Sequence, residues 1–358
     1  MKILFLATDA FGGRGGIAAF NRNFLLAVAS APGVEKVVAL PCHAPDPVDS
    51  ALFPANLVQQ PPSGGRLRYP MAVWRAACRH ASFDLVVCGH LFLLRSAVFA
   101  GRLSGAPLHG IVHGIDAWTP PRRRTIRRLV PRLDGFLAVS TFTKDRFLSW
   151  ADLPPGSGHV LPNCVDLERY TPGERPAYLA KRYGLGDRRI LLTLARLDAN
   201  ERYKGIDEVL AVLPELPDLA YLVVGDGSDR ARLEAKARGL GLAGRVVFAG
   251  YIPENEKTDH YRLADAFVMP GRGEGFGIVY LEAMACGVPV VASQADASRE
   301  AVLDGRLGEV VDPDKPAEIA AGIRRALARP RARVEGLEHF SLVAFTMRVH
   351  NWLAGRRG

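Results

Sequence analysis

The segment PGRGEGFGIVYLEAMACGVPVV, residues 270–291, carries the clearest signal for the fold. The apolar run before it predicts a buried strand that ends near Pro270, and a helix should run from the glycine-rich turn to Gly287. Gly275 and Gly277 allow the backbone to approach a ligand closely, and the free N–H groups at the helix start favour an anion such as diphosphate. The segment therefore predicts a ligand-facing turn in an α/β domain.

Two carboxylates belong to this segment. Glu274 lies in the turn, and Glu282 follows on the helix, one turn after Ile278 and flanked by Leu281 and Ala285. An ionised carboxylate only accepts hydrogen bonds, so the hydroxyl groups of a sugar are natural partners for it in such an apolar helix. The alternative is a structural salt bridge to a neighbouring arginine. Because Glu274 lies beside the glycines eight residues earlier, we favour a ligand.

The same α/β pattern extends over the whole chain. Apolar runs bounded by turn residues, with helix-like stretches between them, are KILFLA, EKVVAL, FDLVVCG, PLHGIVHG and DGFLAVS, then RRILLTLARL, LAYLVVGDG, GRVVFAGY, DAFVMPG and VPVVAS. The Pro- and Gly-bearing stretch 162–176 interrupts this pattern. We predict two Rossmann-like doubly wound domains, residues 1–165 and 166–338, facing each other across a cleft. A helical C-terminal segment, residues 339–358, follows, with packing on the first domain as one option.

The composition fits this organisation. Hydrophobic residues make up 48% and charged residues 23% of the 358 residues, which is typical of a globular protein rather than a disordered one. No continuous apolar run reaches the ~18 residues needed to span a bilayer, and MKILFLATDA predicts a first strand rather than a signal peptide. The five cysteines show neither CxxC nor metal-like spacing, so we expect core thiols in a reducing cytoplasm.

The net charge of +9 comes from the first half of the chain. Residues 1–165 hold 18 Lys and Arg against 9 Asp and Glu, whereas residues 166–358 hold 28 of each class. This asymmetry suggests an anionic partner for the first half: a membrane surface, a lipid-linked phosphate or nucleic acid. A basic face without a special partner is an equally good explanation.

Six arginines and no acidic residue lie between Arg122 and Arg132. This segment has an apolar side at helical spacing, formed by Ile126, Leu129, Val130 and Leu133. Near an anionic leaflet each arginine is worth about 1 kcal/mol, so the segment could dock the domain on a membrane. Alternatively, the apolar side packs on the core and the arginines face water.

A second candidate site lies in ARLDANERYKGIDEVL, residues 195–210, after the first strand of the second half. Arg196 and Lys204 precede a helix that should begin near Ile206. Fixed cations there would stabilise the negative charge that develops on a diphosphate leaving group, without a metal ion. The alternative is that both are solvated surface charges.

A glycine-rich loop, FGGRGGIAAF, follows the first strand. Gly15 and Gly16 in this loop could approach the phosphates of a ligand or a second substrate. Gly13, Gly15 and Ala18 also satisfy the dinucleotide fingerprint G-x-G-x-x-A. However, EKVVALPCH offers no acidic residue at the end of the second strand to hold a ribose, which weakens the oxidoreductase interpretation.

The two glutamates separated by seven residues resemble the signature of the retaining GT-B glycosyltransferases of family GT4. The resemblance covers nearly the whole chain and is strongest over residues 190–312. It implies that Glu274 and the adjacent backbone hold the donor sugar and that Glu282 binds the nucleotide ribose. It also assigns Arg196 and Lys204 to the diphosphate. The further donor-binding residues of the turn are then Gly275, Phe276, Gly277 and Ile278.

Weaker correspondences follow from the same resemblance. GDGSDRARLE resembles the family's glycine turn and makes Gly225 a candidate, while GYIP matches the loop that flanks the base and gives Tyr251 and Ile252. Glycines follow strands in any α/β fold, so a structural role is as good an explanation for them. His113 in IVHGIDAW corresponds to a histidine near the reacting sugar, or else it is a structural residue at a strand end; Asp116 is a less certain candidate.

The resemblance implies a retaining hexosyltransferase that moves a sugar from a UDP- or GDP-linked donor to an acceptor hydroxyl, in bacterial polysaccharide or glycolipid assembly. The implied catalytic residues are His113, Arg196, Lys204 and Glu274, and no metal ion or other cofactor is expected. The acceptor would be a sugar or a lipid-linked saccharide. We expect a cytoplasmic protein, with peripheral contact to the anionic inner face of the membrane as an option, and no nucleic-acid partner.

Two other classes of protein stay open on the sequence. A nucleotide-sugar epimerase of the same architecture would bind the same donor and need no acceptor. A non-catalytic binder of an anionic polymer would explain the basic first half, but it would leave Glu274, Glu282, Arg196 and Lys204 without a role.

Overall fold

The computed structural model describes residues 1–79 and 82–356 of the chain. The chain divides into two compact units: Met1–Cys164 with Leu342–Gly358, and Val165–Ser341. The first division lies one residue before the predicted one. The second lies after the 3-10 helix Leu337–Phe340, which stays with the second unit instead of opening the C-terminal segment.

The first unit contains a seven-stranded sheet of β1 (Lys2–Ala7), β2 (Lys36–Pro41), β3 (Leu57–Gln59), β4 (Leu85–Cys88), β5 (Leu108–Val112), β6 (Gly135–Ala138) and β7 (Gly158–Val160). Neighbouring strands pair parallel in the order β3-β2-β1-β4-β5-β6-β7. The central strands are almost wholly buried, as expected where helices cover both faces. The intervening helices are α1 (Gly16–Ala29), α2 (Arg68–Arg79), α3 (Leu94–Ser104), α4 (Arg124–Arg127) and α5 (Thr141–Ala151).

The second unit contains a six-stranded sheet of β8 (Arg189–Leu194), β9 (Leu219–Val224), β10 (Val246–Gly250), β11 (Ala266–Val268), β12 (Val290–Ser293) and β13 (Glu309–Val311). These strands also pair parallel, in the order β10-β9-β8-β11-β12-β13. Its helices are α6 (Ala177–Tyr183), α7 (Ile206–Val212), α8 (Arg230–Gly239), α9 (Lys257–Leu263), α10 (Ile278–Ala285), α11 (Ser298–Ala301) and α12 (Pro316–Ala328). Both units are therefore doubly wound α/β folds.

The strand order reverses once in each sheet, between β1 and β4 in the first unit and between β8 and β11 in the second. Loops that leave the carboxyl ends of such neighbours run in opposite directions and open a crevice, where α/β sheets bind ligands. The loop after β1 contains Gly15, the loop after β8 contains Arg196 and Lys204, and the loop after β11 contains Glu274. The topology thus carries these predicted residues on the ligand-binding edge of each sheet.

The chain returns to the first unit in a final helix, α13 (Leu342–Ala354). Its aromatic side chains pack on α1, with ring centroids 5.7 Å apart for Phe345 and Phe20 and 5.9 Å apart for Trp352 and Phe24. His350 Nε2 also lies 3.1 Å from Ser30 Oγ at the end of α1. The core of the first unit is therefore completed by the last helix of the chain.

The predicted fold class, two Rossmann-like domains of doubly wound type, is confirmed, and each predicted apolar run contains a strand. Three strands were missed: β3, β7 and β13. Each has only three residues and lies at an edge of its sheet. Edge strands are covered less completely, so they lack the long apolar runs by which buried strands are found in a sequence.

One expectation about the cysteines is wrong. Cys42, Cys88, Cys164 and Cys286 are buried thiols, but Cys78 is exposed on α2. The reason is its place on the helix, which turns it away from the buried residues Val73 and Ala76. Among the helices in residues 1–79 and 82–356, none is both long and apolar enough to cross a bilayer.

Gly225→Ala should destabilise the second unit by about 3 kcal/mol, because Gly225 has φ 133° and an added Cβ would lie 1.8 Å from the Ala195 carbonyl oxygen. Urea unfolding followed by circular dichroism measures the change. Gly239→Ala is the control, since the space around it is open and alanine favours a helix. Equal midpoints for the two variants would contradict the packing role of Gly225.

Candidate active site

The loop after β8 packs directly on the loop after β11. The 3-10 turn Arg202–Lys204 ends at Gly205, whose φ of 82° and close approach to Pro270 require glycine, since a Cβ would lie 2.6 Å from the Pro270 carbonyl group. The backbone N–H of Arg272 donates to the carbonyl oxygen of Tyr203 at 2.8 Å. These contacts fix the two loops to each other, so their side chains form one site.

Lys204 and Glu274 meet where the two loops touch. Lys204 Nζ donates to Glu274 Oε2 at 2.8 Å, and both side chains are largely buried. Burial disfavours the charged ammonium, but the negative charge of Glu274 and the neighbouring Tyr203 outweigh it, so the pKa of Lys204 is raised. The pair is therefore an ion pair at neutral pH, with the cation and the carboxylate predicted for the donor side by side.

Arg196 is arranged differently. Its side chain is 79% exposed and pairs with Glu201 of the same loop. Arg196 and Lys204 nevertheless line one small cavity, together with Asp198 and Arg202. The sequence predicted both cations at the donor phosphates; the structure brings both to one loop, and Lys204 alone of the two contacts Glu274.

The helix start predicted to bind an anion is the beginning of α10. Gly277 precedes it with φ 92°, and a Cβ there would lie 2.4 Å from the Tyr280 ring. Gly275 and Phe276 are buried, Ile278 is the first helical residue, and the Phe276 ring packs edge-on against Phe340 with centroids 5.5 Å apart. The Phe276 side chain therefore packs in the core, so this residue could contact a ligand through its backbone.

Glu282 is buried on α10, and it does have structural partners. Its Oε1 accepts from Lys257 Nζ at 2.7 Å, and its Oε2 accepts from the hydroxyl of Tyr261 at 2.6 Å. Both partners lie on α9, and they neutralise and orient the carboxylate. The salt bridge considered in the sequence analysis is thus present, with a lysine in place of the arginine.

The weaker candidates of the second unit lie at strand ends beside this site. Gly225 directly follows β9, and its close approach to Ala195 gives it a packing role. Tyr251, 64% exposed, and half-buried Ile252 follow β10 and precede α9, the helix that carries Lys257. They adjoin the Glu282 cluster along the chain rather than the Lys204–Glu274 pair.

The glycine loop of the first unit is held from α1. Asn21 Nδ2 donates to the Asp9 carbonyl oxygen at 2.8 Å, and Arg22 Nη1 donates to the Gly13 carbonyl oxygen at 3.0 Å. Gly15 has φ 86°, and both Gly15 and Gly16 are exposed with open space above them. The predicted glycines therefore leave the backbone at the start of α1 accessible.

His113 follows β5 in the same unit. Its Nε2 lies 2.8 Å from the Gly89 carbonyl oxygen, an acceptor, so this nitrogen carries the proton and Nδ1 presents a lone pair. Burial, aided by the neighbouring His90, lowers the pKa of His113 to about 3. His113 is thus a neutral imidazole throughout the physiological pH range. Asp116 lies nearby, 3.5 Å from His90 Nε2, and burial raises its pKa.

Several residues of these sites were not predicted. In the first unit they are Asp9, whose pKa burial raises, and His90; in the second they are Lys257, Tyr261 and Asp296. Asp9, His90 and Asp296 each lie within three residues of the end of a buried parallel strand. A systematic search for polar residues at those places would have found them. Lys257 and Tyr261 carry no comparable signal, since they lie on an ordinary polar helix.

The part of the chain that the structure describes contains no group of three or more His, Cys, Asp or Glu that could hold a metal ion.

Comparison with known proteins gives matches along most of the chain. Residues 14–169 match the family model Glycosyltransferase Family 4, and residues 179–337 match the model Glycosyl transferases group 1. A GDP-mannose-dependent alpha-(1-6)-phosphatidylinositol monomannoside mannosyltransferase of Mycobacterium tuberculosis is 33% identical over 356 residues, 94% of this chain and 91% of that enzyme. The enzyme of the same name from Mycolicibacterium smegmatis is 42% identical over 247 residues, 65% of this chain and 64% of that enzyme.

The fold has solved counterparts as well. The crystal structure of HepE from Anabaena in complex with UDP and glucose matches this chain with a TM-score of 0.77, at 22% identity and over 99% of both chains. The sequence matches and the two doubly wound units agree with the resemblance inferred from Glu274 and Glu282. The chain belongs to glycosyltransferase family 4, the glycosyl transferases group 1, and is a glycosyltransferase with the GT-B fold.

Proposed function

We propose that the chain is a retaining transferase that moves a hexose from a nucleotide diphosphate sugar to the hydroxyl group of a sugar or a lipid-linked saccharide. The observation that carries the proposal is the Lys204–Glu274 ion pair beside the start of α10. A cation for phosphate, a carboxylate for sugar hydroxyls and the N-terminal end of a helix meet there, which is the chemistry that a nucleotide sugar requires.

Donor binding would exchange the partners of this pair. Lys204 would turn from Glu274 to the diphosphate, and the freed carboxylate of Glu274 would accept hydrogen bonds from the sugar hydroxyls. Arg196, exposed on the same loop, would add a second cation as it leaves Glu201. Two cations on the phosphates would stabilise the charge of the leaving group, so the proposed reaction needs no metal ion.

Glu282 would bind the ribose without losing its structural partners. Each carboxylate oxygen has two lone pairs; Lys257 and Tyr261 occupy one on each oxygen, and the Tyr170 hydroxyl also interacts with the carboxylate. A remaining lone pair would accept a hydrogen bond from a ribose hydroxyl. Because Lys257 and Tyr261 already hold the carboxylate in place, little conformational entropy would be lost on binding.

The transfer itself would occur on one face of the sugar. The acceptor oxygen would bond to the anomeric carbon while the bond between that carbon and the phosphate oxygen breaks. The proton of the acceptor hydroxyl would pass to the departing phosphate oxygen. Configuration at the anomeric carbon is then retained. Neutral His113, with its Nδ1 lone pair, would accept a hydrogen bond from a sugar hydroxyl and so orient it.

The relatives narrow the substrates that we propose. Both mycobacterial relatives are named for GDP-mannose and a phosphatidylinositol mannoside, whereas the HepE structure contains UDP and glucose. The greater sequence identity lies with the mannosyltransferases. We therefore propose GDP-mannose as the donor and a lipid-linked mannoside as the acceptor, at the inner face of the cytoplasmic membrane.

Contact with the membrane would use α2. Leu67, just before the helix, and Met71 and Trp74 on it are 81%, 49% and 49% exposed and recur at helical spacing, opposite the buried residues Val73 and Ala76. The three arginines of α2 are exposed and accompany this stripe: Arg68, Arg75 and Arg79. An apolar stripe with a tryptophan and flanking cations is typical of a helix that lies in an anionic membrane interface.

We do not assign membrane insertion to the Arg122–Arg132 segment, for which the sequence left docking on a membrane and packing on the core as alternatives. Ile126, Val130 and Leu133 are buried in the core of the first unit, and the α-helix extends only over Arg124–Arg127. The apolar side is therefore used internally, as in the alternative stated for this segment. Its exposed arginines would add electrostatic attraction without insertion.

The donor assignment is tested first by binding. GDP and GDP-mannose should raise the thermal unfolding temperature more than UDP, ADP, dTDP or their sugar conjugates, because a ligand of the folded state stabilises it by about 2.7 kcal/mol at a concentration of 100 Kd. Transfer of mannose to phosphatidylinositol monomannoside should then be detected by mass spectrometry. Conversion of the donor to another sugar nucleotide without acceptor would instead indicate an epimerase, and no binding at millimolar ligand would contradict the proposal.

Lys204→Ala and Glu282→Ala should each lower kcat/KM for the donor roughly a hundredfold, because each removes a charged partner of the diphosphate or ribose. Steady-state kinetics measure the loss, and circular dichroism checks the fold. Lys315→Ala, which removes an exposed ion-paired lysine of the same unit, is the matched control and should stay near wild type. Wild-type turnover in the first two variants would contradict the site.

Met71→Glu with Trp74→Glu should reduce partitioning into phosphatidylglycerol-containing vesicles at least tenfold, because two interfacial apolar groups become anionic. Co-sedimentation measures the bound fraction. Val343→Glu with Met347→Glu provides the control, a pair of comparably exposed apolar residues on α13 of the same unit. An equal loss of vesicle binding in the two double variants, or no vesicle binding by the wild type, would contradict a role for α2. A change of oligomeric state in Met71→Glu with Trp74→Glu would mean that the stripe contacts a second copy of the chain.

A further inference from the structure

Glu274 is held by its backbone at both ends. Its N–H donates to Asp296 Oδ2 at 2.9 Å, and its carbonyl oxygen accepts from the N–H of Ala297 at 3.1 Å. Both partners come from the turn between β12 and α11, one strand away from β11 in the sheet. Asp296 and Ala297 thus form hydrogen bonds with the two peptide groups that set the position of the Glu274 side chain.

Asp296 is itself fixed by Ser298. Its Oδ1 accepts from the backbone N–H of Ser298 at 3.0 Å and from the Ser298 hydroxyl at 2.6 Å. The Ser298 hydroxyl oxygen in turn accepts from the N–H of Ser293, at the end of β12. Each oxygen of Asp296 therefore has an assigned donor, and the carboxylate connects the end of β12 to the Glu274 loop.

The carboxylate carries out this role in an unusual electrostatic setting. Asp296 is fully buried, and the ionisable groups that face it are Glu274 from the β11–α10 loop and Tyr280 from α10; neither is a cation. Burial, with the charge of Glu274, raises the pKa of Asp296 to about 6, although the hydrogen bonds from Ser298 and Glu274 oppose the shift. Asp296 thus changes its charge within the range of pH at which enzymes are assayed.

We propose that ionised Asp296 is a positioning residue of the transferase, which holds the Glu274 loop in the geometry that receives the donor sugar and releases it on protonation. Protonation would remove the negative charge that strengthens the hydrogen bonds from the Glu274 N–H to Oδ2 and from the Ser298 N–H to Oδ1, and so would weaken both. The proposal rests on the donor-binding role of Glu274 given above.

The sign of the pH effect separates this release from unfolding. The folded chain binds the Asp296 proton near pH 6, whereas an unfolded aspartate binds it near pH 3.9. Between these values protonation of Asp296 favours the folded state, so this group adds to global stability as the pH falls. A loss of order in the Glu274 loop over the same range would therefore be local.

Hydrogen exchange of the ligand-free protein tests, independently of any substrate, whether Asp296 holds the Glu274 loop in place. Peptides that cover residues 271–277 should lose protection from exchange in Asp296→Asn at pH 7. In the wild type the same peptides should lose protection as the pH falls through about 6, once the exchange rates are corrected for the intrinsic effect of pH. Asp265→Asn, which removes another carboxylate that binds a backbone N–H, that of Ile190, is the control and should leave these peptides unchanged. Unaltered protection in Asp296→Asn would overturn the proposal.

Donor kinetics test the consequence for the reaction. Asp296→Asn should raise KM for the nucleotide sugar roughly tenfold to a hundredfold, as expected for a lost buried hydrogen bond, and should abolish the acid limb near pH 6. Ser298→Ala should move that limb to higher pH, because it removes a bond that favours the ionised carboxyl. An unchanged acid limb in both variants would overturn the positioning role. If residues 271–277 of the wild type lose hydrogen-exchange protection as the pH falls but the protein binds no nucleotide sugar, the proposed function is contradicted. The hydrogen bonds of Asp296 to the Glu274 loop would still be supported.

Discussion

The ion pair between Lys204 and Glu274 depends on the packing of two loops that meet where the second sheet changes direction. A lysine and a glutamate buried this far need each other, since either alone would carry an uncompensated charge away from water. Their meeting requires the 3-10 turn before α7 to rest on Pro270, and only a glycine at 205 allows that contact. The proposed donor site thus depends on backbone contact between the two loops as well as on the ion pair.

The sequence was sufficient for the fold because the central strands of a doubly wound sheet are buried on both faces. Runs such as KILFLA and LAYLVV are typical of such strands, because they are short and are bounded by turn residues. The edge strands β3, β7 and β13 escaped because three residues, partly exposed, leave no such run. Similarly, the apolar side of the Arg122–Arg132 segment is visible in the sequence, but its choice between core and membrane depends on what lies beneath it.

The candidate site was predictable where chemistry and local structure coincide. Glu274 and Gly277 are found from a strand, a turn and a helix that are continuous in the chain. Lys257, Tyr261 and Asp296 are different, because their roles arise from contacts with Glu282 and Glu274 across distant segments. A pattern of residues along one segment has no access to such pairs. Arg196 is a different case, because its partner Glu201 lies on the same loop.

The position of α13 has a consequence for synthesis on the ribosome. Phe345 and Trp352 complete the core around Phe20 and Phe24 of α1, yet they leave the ribosome more than three hundred residues later. Domains generally fold as units, N-terminal first, but here the part of α1 that packs on α13 stays uncovered until the second unit has been made, although Phe24 also packs on Phe5 of β1. The nascent chain therefore carries an open apolar surface through most of translation. The first unit therefore acquires its complete core only after α13 has been made.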